Sequence, residues 1–493
     1  MAEITYLYFF GYPPNFQCKN FTAPSNASVL IEPQTCDVTY ITNSLNKSES
    51  TNTPCPNGYK YDGPQTAVTE WDLICDRESL GQMSTAVVMV GQMLGATIFS
   101  VIVDKSGRHG VTCFCFIALT VCSLGLAFNT FFALFVILRF LIGAFQQGVQ
   151  MAQGSLIIEM FPTEFRATTT LIGALMWAVS IASLSLFGYL LQDQSWRYLQ
   201  LLVGLIGIHC LGTHWLQHES LRWLVANGKD EEIKVWIIRA AKWNKKDPEQ
   251  ILKHLYSPVK EGEQLLVNSD HQIADSADDS ITEKYNILDI VRKRRVLVIS
   301  FILWTAWFVV SLSYYALYLM SSSLSGNRFL NFFLNALAEI PSQFVLWYLV
   351  GKIGRRYTSI GFFALSGLFL IASALILKFA VHLSTLSLIF SLVGMFGIAG
   401  AFSCLFLITP ELYPTNLRST GLGLSSTAGR IGSILSPFAS SFALHVPWGP
   451  GLTFGILCLI LTFLFMWLPE TKDKVLPTTV NDLDKPPKSS QEL

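Results

Sequence analysis

Glu159-Met-Phe-Pro-Thr-Glu-Phe-Arg166 and Glu411-Leu-Tyr-Pro-Thr-Asn-Leu-Arg418 are one pattern written twice. Glu, an aromatic ring, Pro, Thr and Arg recur at the same internal spacing, 252 residues apart from 159 to 411. Each copy follows a long apolar run and precedes another. Two more landmarks repeat nearly in step: Gly107-Arg108 with Gly354-Arg355, 247 apart, and Glu219 with Glu470, 251 apart. This common offset marks two homologous halves. Each reads as a bundle of membrane helices, and parallel repeats of that kind point to a transporter.

Composition agrees. Hydrophobic residues make up 51% and charged residues 14%, against roughly a quarter charged in soluble domains. The net charge is zero, so no basic field marks a nucleic-acid partner. No G-x-x-x-x-G-K-[ST] loop is present, which disfavours an ATP-driven pump. Metal-ligand spacings and nucleophile–base constellations are absent too, which disfavours an enzyme.

Apolar stretches near the bilayer-crossing length of about 20 residues fall at 80–103, 111–128, 131–156, 168–191 and 198–216. Six more fall at 296–320, 329–350, 357–379, 383–407, 420–443 and 451–468. The sequence therefore predicts an all-α polytopic fold of about 11 spans. Its parts are 1–17, a short lead-in; 18–79, a polar loop; 80–216, the first bundle; 217–296, a charged insert; 297–470, the second bundle; and 471–493, a polar tail expected to be disordered. Cys18, Cys36, Cys55 and Cys75 share the 18–79 loop with glycosylation sequons at Asn20, Asn26 and Asn46. Clustered sequons and four cysteines predict an extracellular segment closed by two disulfides, in any of three pairings. Basic residues at alternate turns, from Lys105 and Arg108 to Arg418, predict that those turns, the insert and the C-terminus are cytosolic.

The loop segments Pro54-Cys-Pro-Asn-Gly-Tyr-Lys-Tyr61 and Thr69-Glu-Trp-Asp-Leu-Ile-Cys-Asp76 resemble the signature of the organic ion transporter family of the major facilitator superfamily. That family covers organic cation, organic anion and zwitterion/carnitine carriers. Asp104-Lys-Ser-Gly-Arg-His109 resembles the superfamily's D-x-x-G-R-R turn, and Gly351-Lys-Ile-Gly-Arg-Arg356 is its second-half copy. Glu219-Ser-Leu-Arg-Trp-Leu224 is similar to P-E-S-P-R-W-L, departing at His218 and Leu221. The resemblance spans about residues 11 to 475. It implies a two-bundle fold, a plasma-membrane location and alternating access. It also implies twelve helices, of which the first is missing or truncated here. Tyr12-Pro-Pro-Asn-Phe-Gln-Cys18 matches only that helix's outer end, and 1–17 reads as its remnant.

Candidate site residues follow from depth. Arg430 lies 12 residues beyond Arg418, and Glu339 lies 12 before Gly351. At 1.5 Å per residue each sits roughly 18 Å from the basic turns, near the bilayer midplane. Ionisable groups there are costly and mark function. Arg430 is expected to bind a substrate carboxylate, and Glu339 a substrate cation or a coupling proton. Trp307, Tyr314 and Tyr315 are expected to face a quaternary ammonium by cation–π attraction. Gln150, on a polar stripe with Gln146 and Gln153, is expected at the cavity; Gln343 stands where the anion branch tends to have Lys. Asp104, Arg108, Glu159, Arg166, Arg355, Glu411 and Arg418 are expected to act as a gate, pairing across the cytosolic face when the cavity opens outward and parting when it opens inward. The resulting expectation is a monomeric carrier of a carnitine-like zwitterion or an organic cation. No cofactor is expected, and coupling is to sodium or protons. The alternatives are an organic anion exchanger and a non-transporting truncated form.

Overall fold

The computed structural model describes residues 15–19, 27–30, 36–44, 47–161, 166–208, 212, 217–248, 293–321, 326–413 and 418–472. Asn20, Asn26 and Asn46 lie outside them, as do the side chains of Arg166 and Arg418, most of the insert and the tail.

The loop is a small β-structure. Strands β1 (Asn15–Cys18) and β5 (Tyr59–Asp62) pair antiparallel, and β2 (Ala27–Leu30), β3 (Asp37–Ser44) and β4 (Lys47–Pro54) form a three-stranded meander. Asn15, Phe16 and Gln17, assigned from sequence to a helix remnant, are therefore strand. Pro13-Pro14 precedes them and disfavours helix, while the Phe16 ring meets Tyr59 edge-on, centroids 5.7 Å apart. Disulfides Cys18–Cys55 and Cys36–Cys75 select one of the three pairings. Cys113, Cys115, Cys122, Cys404 and Cys458 are free thiols, all but Cys113 buried.

After a short helix α1 (Ala67–Glu70) come α2 (Glu78–Ser106), α3 (Arg108–Phe128), α4 (Phe132–Met160), α5 (Arg166–Leu190) and α6 (Trp196–Ile208). These form the first half. Two short helices of the insert, α7 (Leu221–Ala226) and α8 (Asp230–Trp243), pack through Trp223, Leu224, Ile233 and Ile237. The second half is α9 (Arg294–Met320), α10 (Arg328–Ile353), α11 (Arg355–Phe379), α12 (Ser384–Leu412), α13 (Arg418–His445) and α14 (Gly449–Phe465).

The offset read from the sequence reappears as matched elements. The Gly107 turn joins α2 to α3, and the Gly354 turn joins α10 to α11. Glu159 and Glu411 close α4 and α12, which both run 29 residues. Helix α9 has no first-half counterpart among the described residues.

Eight helices are long and apolar enough to cross a membrane by length and composition; α6 and α14 are apolar but shorter. Helix α13, expected as a span at 420–443, is 28 residues long but carries Arg430 and a run of serines. Ser425, Ser433 and Ser436 are buried, so its polar side faces protein, where membrane helices must keep such groups. Outward faces are apolar, as at Phe114, Val121, Phe301 and Phe463.

The helices approach closely where they carry glycine. A Cβ at Gly143 of α4 would overlap the Val88 carbonyl oxygen of α2, and one at Gly91 of α2 that of Phe140. Small residues let backbones meet in membranes, where apolar burial drives little helix association. Between the halves, α5 packs on α10, and α2 on α13.

Candidate functional site

The two turns at Gly107 and Gly354 define one end of the molecule, the basic end; the disulfide-linked loop marks the other, the loop end. Each turn glycine has positive φ, +90° and +94°, a backbone region that L residues avoid. Neither has room for a side chain, because the Glu219 and Glu470 carboxylates press against them. Glu219 accepts from the Arg108 and His109 backbone N–H groups at 2.9 and 3.0 Å, and Glu470 from those of Arg355 and Arg356 at 3.0 and 3.1 Å. Each carboxylate thus caps the N-terminus of α3 or α11, where orphan N–H groups and the helix dipole favour negative charge. The third repeated landmark in the sequence is this pair of caps.

Of the expected gate residues, Asp104, Arg108 and Glu159 pair within the first half and Arg355 and Glu411 within the second; the side chains of Arg166 and Arg418 lie outside the described residues. Arg108 meets Glu159 at 2.8 Å and Asp104 at 3.2 Å. Arg355 meets Glu411 at 3.2 Å. Arg108 and Glu159 begin and end neighbouring helices of one bundle, so their pairing ties α3 to α4.

A cavity of about 650 Å³ lies between the halves. Arg430, Glu339, Tyr314 and Tyr315 line it, together with Trp307, Gln343 and Gln150, so the structure brings all seven sequence-derived site residues to one place. Its walls continue to Leu171, Gly351 and Arg355 at the basic end. Cross-half hydrogen bonds lie at mid-depth and at the loop end, where the Ser185 hydroxyl donates to the Phe329 carbonyl at 2.6 Å and the Ser441 hydroxyl to Glu78 at 2.6 Å. The cavity is therefore closed toward the loop end and reaches the basic end.

Glu339 is buried, at 3% exposure. Tyr314 and Tyr318 of α9 both donate to its Oε1, Tyr314 at 2.6 Å. Pro341, two residues on in α10, cannot donate a backbone bond. Across the halves, the Trp177 indole donates to the Tyr314 hydroxyl at 3.0 Å. Tyr314 also packs on Tyr315 and Phe402, with centroids 5.3 and 5.5 Å away. The Trp307 indole donates to Thr409 at 3.0 Å, and Phe406 sits edge-on to its ring at 4.6 Å.

Arg430 takes its acceptors from the opposite half: Gln92 Oε1 at 2.7 Å and Gln147 Oε1 at 2.8 Å. No carboxylate pairs with Arg430, and no cation with Glu339, among the described residues. Of the glutamine stripe, Gln146 and Gln150 line the cavity, whereas Gln153 donates to Gln217 at 2.9 Å. Arg139 is buried with its guanidinium 5.4 Å from the Phe135 ring, a packing position away from the cavity lining.

Sequence reasoning missed Gln92, Trp177 and Tyr318, and set Gln147 off the cavity stripe. Their signal was weak: each is one polar or aromatic residue in a long apolar run, with no repeat or charge to mark its depth.

Two bundles around a midplane cavity, with uncompensated charges on its walls, define a membrane transporter. The sequence family described as "Sugar (and other) transporter" matches residues 29–479. Solute carrier family 22 member 7 of Rattus norvegicus is 31% identical over 453 residues, covering 90% of this chain and 80% of that protein. Solute carrier family 22 member 21 of Mus musculus is 30% identical, covering 89% and 75%. Organic anion transporter 3 of Homo sapiens is 28% identical, covering 97% and 83%. The chain belongs to the sugar (and other) transporter family and to solute carrier family 22, families of carriers rather than enzymes. The fold is that of the proton:xylose symporter XylE bound to 6-bromo-6-deoxy-D-glucose, at TM-score 0.60 and 15% identity, covering 81% of this chain and 88% of that one. It also matches the inward open xylose transporter XylE from E. coli at TM-score 0.57.

Proposed function

We propose that the protein carries small organic ions across the plasma membrane by alternating access, and that its substrate is a carnitine-like zwitterion or an organic cation. The observation that carries this reading is the pair Arg430 and Glu339: opposite charges on one cavity wall, neither compensated by an ion partner among the described residues. Arg430 takes the carboxylate. Glu339, bonded to Tyr314 in a cavity that Trp177, Trp307 and Phe402 also line, takes the ammonium, since ring faces hold desolvated quaternary ammonium at about 2 kcal/mol.

The 18–79 loop faces outward, carries glycans at Asn20, Asn26 and Asn46, and leaves the basic end and the C-terminus in the cytosol. A cavity reaching the basic end is then an inward-facing state. The carrier acts as a monomer without a cofactor, coupled to sodium or protons.

A second reading, organic anion exchange, draws on Arg430 as the cavity's central cation and on the names of relatives such as organic anion transporter 3. Uptake of carnitine, glutarate and tetraethylammonium, with and without sodium and a pH gradient, separates the two. Preference for carnitine or tetraethylammonium supports the first; glutarate exchange supports the second. Carnitine uptake that survives Arg430→Ala unchanged rejects the role of Arg430. Absence of uptake for every probe favours a non-transporting form.

A further inference from the structure

Arg430 sits on α13, and both of its hydrogen-bond acceptors belong to the other half: Gln92 on α2 and Gln147 on α4. The two carboxamide oxygens occupy the two terminal guanidinium nitrogens, one each. That is how a carboxylate engages Arg, with one oxygen per nitrogen. The amide orientation is fixed, because guanidinium has no acceptor and only the Gln oxygen can face it. Gln92 is held further by its own Nε2, which donates to Gln146 Oε1 at 3.3 Å. Gln92 and Gln147 are 3% and 2% exposed, so this is a built arrangement of buried polar groups.

We infer that Gln92 and Gln147 are neutral stand-ins for the substrate's anionic group, and that a carboxylate displaces them from Arg430, breaking the mid-depth link between the halves. The inference rests on the reading that Arg430 receives that group.

The physical grounds are two. First, an amide satisfies the guanidinium's donors but leaves its charge uncompensated. Both kinds of bond are charge-assisted by the guanidinium, but a carboxylate adds a full opposite charge, whose Coulomb attraction in a low-dielectric cavity an amide lacks, so it outcompetes the two oxygens. Second, the bonds it replaces cross between halves, whereas the bonds it makes need not. Together with Ser185–Phe329 and Ser441–Glu78, the Arg430 link holds the cavity shut toward the loop end. Exchange at Arg430 converts binding energy into loss of one cross-half tie, and a population shift follows only from such a differential interaction. A glutamate at either position would neutralise Arg430 permanently and weld the halves.

The full-length protein tests this in reconstituted vesicles. Carnitine, glutarate and tetraethylammonium serve as probes, and a membrane-impermeant maleimide reports on Ser185→Cys, a position buried at the closed end. Inter-helix hydrogen bonds in membranes are worth a factor of about three each. Gln92→Met with Gln147→Met is therefore expected to lower the carboxylate KM by up to about tenfold and to label quickly without any probe. In the Ser185→Cys background alone, carnitine or glutarate raises the labelling rate and tetraethylammonium does not. Gln147→Glu is expected to cut uptake of carboxylates and of tetraethylammonium alike at least about tenfold, because welded halves cannot alternate, and to label slowly with every probe.

Unchanged carboxylate KM and unchanged labelling in the double Met variant overturn the inference. The single Met variants decide the same point if the double variant does not fold. Loss of carboxylate uptake in Arg430→Ala alongside inert glutamine variants rejects the inference alone. Retained carboxylate uptake in Arg430→Ala rejects the underlying reading.

Discussion

Trp177 and Tyr314 meet across the two halves of the carrier, the indole Nε1 donating to the phenolic oxygen at 3.0 Å while that phenol donates onward to Glu339 at 2.6 Å. The acidic side of the cavity is thus tied to the first half, as Arg430 is, through an uncharged side chain. Trp177→Phe keeps an aromatic ring and removes the donor. It should cost about 0.6 kcal/mol, the usual size of such a bond between membrane helices. Thermal unfolding of the purified protein should move little, while the labelling rate at the Ser185→Cys position should rise about threefold.

Tyr318 has a different effect. It is buried and gives Glu339 its second phenolic bond. Tyr318→Phe leaves a buried carboxyl one donor short, at a cost of about 1–3 kcal/mol, read as a lower unfolding midpoint. Glu339→Gln removes the charge and should reduce tetraethylammonium uptake at least about tenfold. Unchanged tetraethylammonium uptake would show that Glu339 does not contact the cation.

Two glycines of α4 should respond oppositely. Gly143→Ala places a methyl against the α2 backbone at Val88, whereas at Gly154 nothing lies within 4 Å. Overpacking costs about 1–3 kcal/mol, so Gly143→Ala should lower the yield of folded protein and Gly154→Ala should not. Equal yields would mean that α2 and α4 do not approach this closely.

The loop should move with the first half alone. Trp71 donates to the Thr130 carbonyl at 3.1 Å and packs on Phe135 with ring centroids 4.6 Å apart. Glu70 binds both the Trp196 indole, at 2.8 Å, and Arg197. Non-reducing peptide mapping should recover Cys18 with Cys55 and Cys36 with Cys75. Cys36→Ser should free the Cys75 thiol for labelling and destabilise the loop by about 2–5 kcal/mol, as loss of a native disulfide does in small domains.

At the basic end, Glu219 and Glu470 cap α3 and α11. Glu219→Ala should cost about 1 kcal/mol or more, as other lost caps do. Gly354→Ala should be worse, combining positive φ with contact against the Glu470 carboxylate. Comparable unfolding midpoints for both variants and the parent would reject the capping role.

The sequence by itself determined the two halves, the places of the helices, the basic end and the depth of the site. These are one-dimensional properties. A repeat is an offset, a span is a run of apolar residues, and depth is a count of residues at 1.5 Å each. Counting from the Glu411–Arg418 repeat placed Arg430 at mid-depth, and the structure puts it on the cavity. Pairings were not legible. Cys36 could have joined any of three partners, and the strand at Asn15–Cys18 needed Tyr59–Asp62 beside it. The spacing did not name which acid Arg108 and Arg355 would meet, and here each meets one of its own half. Arg430 meets Gln92 and Gln147 from 338 and 283 residues away. Helical periodicity fixes which residues share a face, but not how each helix is rotated or which neighbour it meets. Glycine contacts and close packing decide those, and so only the tertiary structure shows that Arg430 and Glu339 are tied to the opposite half by uncharged side chains.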